Sequence, residues 1–242
     1  MAPAPAEWHD KERPHTVENP VIVAIDGPSG TGKSSTSKAV AAELGLSYLD
    51  TGAQYRAITW WMLSNGVDVH DPAAVAEACL KPVIVSGTDP LDPQISVDGV
   101  DASGPIRSQE VTAAVSAVSA VPEVRSRMVD YQRSTAAVAG AGIVVEGRDI
   151  GTTVLPDATL KVFLTASAEV RAARRSGELN GAVSVAATQE ALVRRDAADS
   201  GRTTSPMAKA ADAVEVDTSD LTLVQVVDRI VALVEEKRAT VR

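Results

Sequence analysis

The sequence predicts an α/β protein: a doubly wound parallel sheet of about five strands, with a small antiparallel insert. Three observations carry this. Short, strongly apolar runs recur along the chain, among them Val21 to Ile25, Ile143 to Val145 and Leu160 to Leu164, and such runs suit strands buried on both faces. Helix-forming stretches separate them, giving the alternation of a parallel sheet. The first run leads through a glycine-rich turn into a helix, and in sheets of this kind the ligand lies at the carboxyl ends of the strands.

Taken in order, residues 1–20 hold four prolines and mixed charges, with Trp8 as their one aromatic. They read as a disordered tail, ahead of one domain over 21–242. Val21 to Ile25 is the first strand. Gly27-x-x-x-x-Gly32-Lys33-Ser34 follows and fits the phosphate-loop pattern. Its glycines let backbone N–H groups turn inward around phosphate oxygens, and the helix N-terminus adds partial positive charge there. Lys33 can reach the β- and γ-phosphates, and the Ser34 hydroxyl suits Mg²⁺. Lys38 to Leu44 continues as helix.

Leu46 to Leu49 reads as a strand and Asp50-Thr51-Gly52 as a turn. Gln54 to Leu63 is a helix closed by Asn65-Gly66; Trp60, Trp61 and Met62 read as packing, while Tyr55 and Arg56 sit near its start. Asp71-Pro72 opens a helix to about Leu80. Between 82 and 102 the pattern changes to short strands, Pro82 to Val85, Gln94 to Val97 and Val100-Asp101, with Asp98-Gly99 as a hairpin signal. Helix resumes from Ser108 to Ala120, breaks at Pro122, and runs again from Glu123 to about Ala139. The strand Ile143 to Val145 ends in Glu146-Gly-Arg148-Asp149-Ile-Gly151. Leu160 to Leu164, a helical stretch, Val214 to Val216 and the helix Leu221 to Glu236 complete the chain. Gly27 to Ser34, Asp50 to Arg56 and Gly147 to Gly151 all follow strand ends, so they are expected to face one cleft.

From Arg171 to Arg202 there are six arginines and no lysine. The planar guanidinium suits phosphate oxygens, and Arg194-Arg195-Asp196 with Asp199-Ser-Gly201-Arg202 suits a mobile lid over ATP.

Composition narrows the classes. The chain has 242 residues, 45% hydrophobic and 23% charged, as in ordinary globular proteins. Aromatics make up 3% and Phe163 is the one Phe, so Ala, Val and Leu must fill the core. A net charge of −9 argues against a nucleic-acid polymer as partner. Cys79 is the one cysteine, so neither an intrachain disulfide nor a multi-cysteine metal site can form; it reads as a small buried hydrophobe. No apolar stretch is long enough for a membrane span, and Met1 to Pro20 has no apolar signal core. A reduced, cytoplasmic setting is expected.

The chain resembles the bacterial cytidylate kinases, within the nucleoside monophosphate kinases, over roughly Val21 to Val234. The motifs are Ile25-Asp-Gly-Pro-Ser-Gly-Thr-Gly-Lys-Ser34, Leu49-Asp-Thr-Gly-Ala-Gln-Tyr-Arg56, Ile106-Arg107-Ser-Gln-Glu-Val111, Ser116 with Pro122-Glu-Val-Arg125, and Glu146-Gly-Arg-Asp-Ile-Gly-Thr152. The first marks any P-loop protein; the five in this order are specific. The resemblance implies transfer of the γ-phosphoryl group of ATP to CMP or dCMP with Mg²⁺. It places Gly27, Pro28, Ser29, Gly30, Thr31, Gly32, Lys33, Ser34 and Ser35 at ATP, with Ser34 at the metal. It places Thr51, Tyr55, Arg56, Arg107 and Arg148 around the monophosphate, and the 82–102 insert with them. Ser116, Arg125 and Asp149 would meet the cytosine, Asp199 the ribose. Lys33, Arg148, Arg195 and Arg202 would act in catalysis, the last two from the lid at 171–202. Ala198 and Ser200 stand where some members carry arginine, and Thr51 where some carry serine. The expected partners are nucleotides alone, with no membrane, and a monomer is expected.

Two other readings stay open from the residues. One is a kinase of the same fold acting on UMP or a non-nucleotide acceptor. The other is a GTPase-type switch, against which no Asn-Lys-x-Asp guanine-reading motif occurs in the chain.

Overall fold

The computed structural model describes residues 20–178 and 183–240. Residues 1–19 of the expected tail over 1–20, Trp8 included, and residues 179–182 of the arginine-rich segment lie outside the described residues.

β1 (Val21–Asp26) leads through the glycine-rich loop into α1 (Lys33–Leu44), followed by β2 (Ser47–Asp50), α2 (Thr51–Ser64) and α3 (Pro72–Ala78). Three short strands come next, β3 (Ile84–Ser86), β4 (Ile95–Val97) and β5 (Val100–Asp101), then α4 (Gln109–Val118) and α5 (Pro122–Ala137). The chain returns to the main sheet as β6 (Gly142–Glu146) and β7 (Leu160–Thr165). The helices α6 (Ala168–Glu178) and α7 (Val185–Ser200) precede β8 (Val214–Asp217) and α8 (Leu223–Thr240).

The main sheet has five parallel strands in the order β2-β6-β1-β7-β8. Successive side chains of β1 point to opposite faces. Val21, Val23 and Ile25 join a core with Val40 and Ala41 of α1 and Val226, Ile230 and Val234 of α8. Ala24 faces the other way, onto Ile143, Val145 and Ala136 of α5. Both faces are covered, which is why these strands are almost wholly apolar.

A third core joins α2, α3, α4 and α5 to the antiparallel sheet β3-β4-β5. Met62 is fully buried in it, Trp60 and Trp61 pack against it half-buried, and Cys79 is buried there as a free thiol. Asp98 and Gly99 both take positive φ, 52° and 78°, the geometry a two-residue hairpin needs.

Some boundaries differ from expectation. Asp50-Thr51-Gly52 is not a turn. Helix α2 begins at Thr51, because Asp50 caps it by accepting from the Ala53 N–H at 2.9 Å. The first insert strand starts at Ile84 and not Pro82: Pro82 has no N–H for a ladder, and the Val83 N–H goes to the Asp98 carboxylate at 2.7 Å. Helix α8 starts at Leu223, where the Thr222 hydroxyl accepts from the Gln225 N–H.

Candidate active site

The site begins where β1 ends. Gly27 has φ +143°, and a Cβ there would lie 2.2 Å from the Leu164 carbonyl oxygen, so only glycine lets the loop leave the sheet here. The loop then curls around the Lys33 side chain, which is buried and donates to the Pro28 carbonyl at 2.6 Å. Burial lowers the Lys33 pKa to about 7, with the nearby Arg148 charge acting in the same direction. An anion seated in the loop would oppose both influences and favour the charged ammonium.

Strand ends bring in the second group. Glu146, the last residue of β6, is buried and accepts from the Ser34 hydroxyl at 3.0 Å and from the Tyr48 hydroxyl. Burial raises its pKa to about 7, with Asp50 adding to the rise. Thr51 donates from its hydroxyl to the Glu146 carbonyl at 2.7 Å, tying the start of α2 to β6. Among the described residues no cluster of three or more His, Cys, Asp or Glu could hold a metal. A hydroxyl beside one carboxylate nevertheless suits Mg²⁺, which takes few protein ligands and completes its shell with phosphates and water.

The arginines form the third group. Arg148 donates to the Ser29 hydroxyl at 2.7 Å and to Asp199 of α7 at 3.1 Å, so it spans from the phosphate loop to the arginine-rich segment. Arg195, also on α7, has a buried Nε without a partner among the described residues. Burial first, then Arg148 and Arg56, lower its pKa to about 9. Arg56 is lowered to about 10 by burial and by Arg175, and it donates to Thr112 at 2.9 Å and to the Ile106 carbonyl at 3.2 Å. Arginines that depress one another's pKa mark a place short of negative charge. Arg202 pairs with Asp199, and its buried Nε too lacks a partner among the described residues.

Deeper in the cleft Arg125 and Asp149 form a buried ion pair. The guanidinium carbon of Arg125 stands 5.4 Å from the centroid of the Tyr55 ring. Burial pushes the Asp149 carboxyl above its ordinary pKa, against the pull of Arg125. Asp149 Oδ1 receives no hydrogen bond from the described residues, its neighbour Oδ2 being taken by Arg125.

The structure thus brings together Gly27 to Ser34, Thr51, Tyr55, Arg56, Arg125, Arg148, Asp149, Arg195, Asp199 and Arg202. Three expected residues stand apart from these contacts. Arg107 is exposed on a 3₁₀ turn, at the rim of a cavity of ≈ 50 Å³ that Ser34, Lys38 and Asp50 also line. Ser116 is half-buried on α4 and offers its carbonyl to Ser119, whose own carbonyl accepts from Arg125. Ser35 is exposed on the first turn of α1.

Other residues at the site are not among those expected to form it. Asp196 of α7 accepts from the Ser29 N–H at 3.3 Å and pairs with Arg171, which also donates to the Ser29 carbonyl at 3.1 Å. Asp26 directly precedes the phosphate loop, but the sheet order is what brings its carboxylate to the Ile150 and Gly151 N–H groups, as it brings Tyr48 to Glu146.

Comparison with known proteins fits this geometry. The cytidylate kinase family signature matches residues 23–236. A cytidylate kinase of Streptomyces griseus is 74% identical over 223 residues, 92% of this chain and 96% of the relative. One from Streptomyces coelicolor is 76% identical over 219 residues, 90% and 94% of the two chains. An uncharacterized protein from Eubacterium ventriosum, solved by crystallography, shares the fold at 13% identity with a TM-score of 0.50, over 90% of this chain and 99% of that one.

Proposed function

The chain belongs to the cytidylate kinase family, and from that premise we propose how its residues divide the work of moving the γ-phosphoryl group of ATP to CMP or dCMP. The observation that carries the reading is Arg148. It touches the phosphate loop through Ser29 and the arginine-rich segment through Asp199, while Arg195 and Arg56 crowd the same space. That is a second anion site built against the first, as two phosphorylated substrates require.

Backbone N–H groups of the loop and Lys33 hold the ATP phosphates. Arg56 and Arg148 grip the monophosphate, with Thr51 and Tyr55 beside them. Arg195 and Arg202 approach from α7 and just beyond it, and Asp199 meets the ribose. Ser34, with Glu146 behind it, would hold Mg²⁺, which would supply neutralising charge to the ATP phosphates. The acceptor is already an ionised phosphate, so no strong general base is needed. Phosphoryl transfer then depends on alignment and on offsetting charge. The α6–α7 segment acts as the lid. Its contacts with Ser29 keep water from the γ-phosphate, where hydrolysis would compete.

Asp149 reads the base. Its free Oδ1 accepts from the cytosine amino group, and Arg125, steadied by Ser119, donates to the ring acceptors. The enzyme is proposed to work in the cytoplasm as a monomer on nucleotides alone; no described helix is long and apolar enough to cross a membrane. A screen of monophosphate acceptors with ATP and Mg²⁺ tests the reading. CDP and dCDP should form with ADP, and ATP should be spared when no acceptor is present. Acceptor-independent release of phosphate at the same rate would overturn it.

A further inference from the structure

Asp26 is the last residue of β1 and directly precedes the first glycine of the phosphate loop. It is 4% exposed, and its two carboxylate oxygens go to two consecutive backbone donors. Oδ1 accepts from the Ile150 N–H at 2.9 Å and Oδ2 from the Gly151 N–H at 2.8 Å. One residue upstream, the Ile25 carbonyl accepts from the Gly147 N–H at 3.0 Å. The strand end therefore holds the loop 147–151 at both of its ends. Between those anchors stand Arg148, bonded to Ser29 of the phosphate loop, and Asp149, paired with Arg125.

A buried carboxylate is a costly way to satisfy two N–H groups. The chemistry explains why it is used. Both groups are donors, and of the side chains this size only carboxylate offers two acceptors side by side. An amide offers one acceptor and would turn an NH₂ toward the other N–H. Donors at Ile150 and Gly151 open a single π turn, closed by Leu155 N–H on the Ile150 carbonyl, and have no earlier turn to bond to. A shift of this turn would carry Arg148 and Asp149 with it.

We propose that Asp26 is the positioning residue that fixes the spacing between the two substrate grips, by fastening the loop of Arg148 and Asp149 to the root of the phosphate loop. This rests on the reading of that loop as the monophosphate and base site. Asp26 touches neither substrate. It acts through Ile150 and Gly151, and its effect is on the alignment of acceptor and donor.

The test compares the whole enzyme with Asp26→Asn and Asp26→Glu, the first losing one acceptor and the second keeping both one methylene further out. Steady-state kinetics with CMP and with ATP, ADP binding without CMP, amide exchange at Ile150 and Gly151, and thermal unfolding are measured, all kinetics well below the melting temperature. A misplacement near 1 Å costs about 100-fold in rate. Both variants should lose about that factor in kcat/KM for CMP, with faster exchange at Ile150 and Gly151, while ADP binding changes less than about threefold. A purely structural Asp26 would instead lower the melting temperature and leave kcat/KM of the folded enzyme within about twofold of wild type, and that result overturns the assignment. Equal losses for CMP and ADP overturn it as well. Wild-type enzyme that makes no CDP overturns the functional reading and this assignment with it, whereas wild-type turnover with unaffected variants overturns the assignment alone.

Discussion

Asp149→Asn separates base reading from simple scaffolding. In the native site Oδ2 holds Arg125, and Oδ1, which takes no hydrogen bond from the described residues, is the atom proposed to accept from the cytosine amino group. Asn keeps one acceptor. If that oxygen stays with Arg125, an NH₂ faces the base, repelling the cytosine amino group and welcoming the uracil carbonyl. A good base contact of this kind is worth about 1–3 kcal/mol, or roughly 5- to 150-fold. CMP turnover at low substrate should fall by that factor and the CMP:UMP ratio should narrow about tenfold or more. The pair's side chains are only 3% and 6% exposed. Removing the acceptor altogether, as in Asp149→Ala, strands a buried guanidinium at a cost of about 3–5 kcal/mol. For a chain this long each kcal/mol moves the melting temperature by about 2–4 °C, so Ala should melt several degrees below Asn. The assay is kcat/KM for CDP and UDP formation beside thermal unfolding. Arg148→Ala is the control, since CMP and UMP carry the same phosphate and should suffer alike. Equal losses for CMP and UMP in Asp149→Asn would refute the base-reading role.

Three further outcomes follow from the site. Lys33→Ala should cut turnover by about 10²–10³-fold or more while the fold survives, if the lysine acts on charge in the transition state as proposed; a folded variant of near-normal rate would remove the loop lysine from the mechanism. Arg195→Ala and Arg202→Ala should lower kcat more than they raise KM for CMP, as expected of groups engaged once the lid closes, and a pure KM effect would move that arginine to ground-state binding. Glu146→Gln should raise the Mg²⁺ needed for half-maximal rate by about 10- to 100-fold and leave metal-free ADP binding unchanged; an unshifted Mg²⁺ titration would separate Glu146 from the metal.

What the sequence shows plainly is what is local. The phosphate loop is eight consecutive residues with its strand and helix attached, and the hairpin at Asp98-Gly99 is two. The helix start at Thr51 escaped because Asp50 serves at once as strand end and helix cap, and a turn reading covers both. The partners hidden from sequence are those joined only by topology. Asp26 reaches donors 124 and 125 positions away, and Asp196 meets Ser29 across 167. Neither has a spacing rule, since a carboxylate near a strand end or on a helix has no local cue to its distant partner. Glu146 stood inside a recognised motif, yet its bonds to Ser34 and Tyr48 depend on β2 and β1 flanking β6.

That strand order also dictates when the enzyme can exist during synthesis. The strand that roots the phosphate loop has its two edges taken by β6 and β7. The first of these begins at Gly142, long after Asp26 has been made. At about 5–20 residues per second the ribosome needs on the order of 6–25 s to cover that stretch. Until then Val21 to Ile25 is an apolar strand with both hydrogen-bonding edges bare, the condition most open to pairing with other chains. The helices and small sheet encoded in between can gather around their own core while they wait. A nascent chain halted before Gly142 carries every residue of the phosphate loop and lacks the parallel strands on which to hang it.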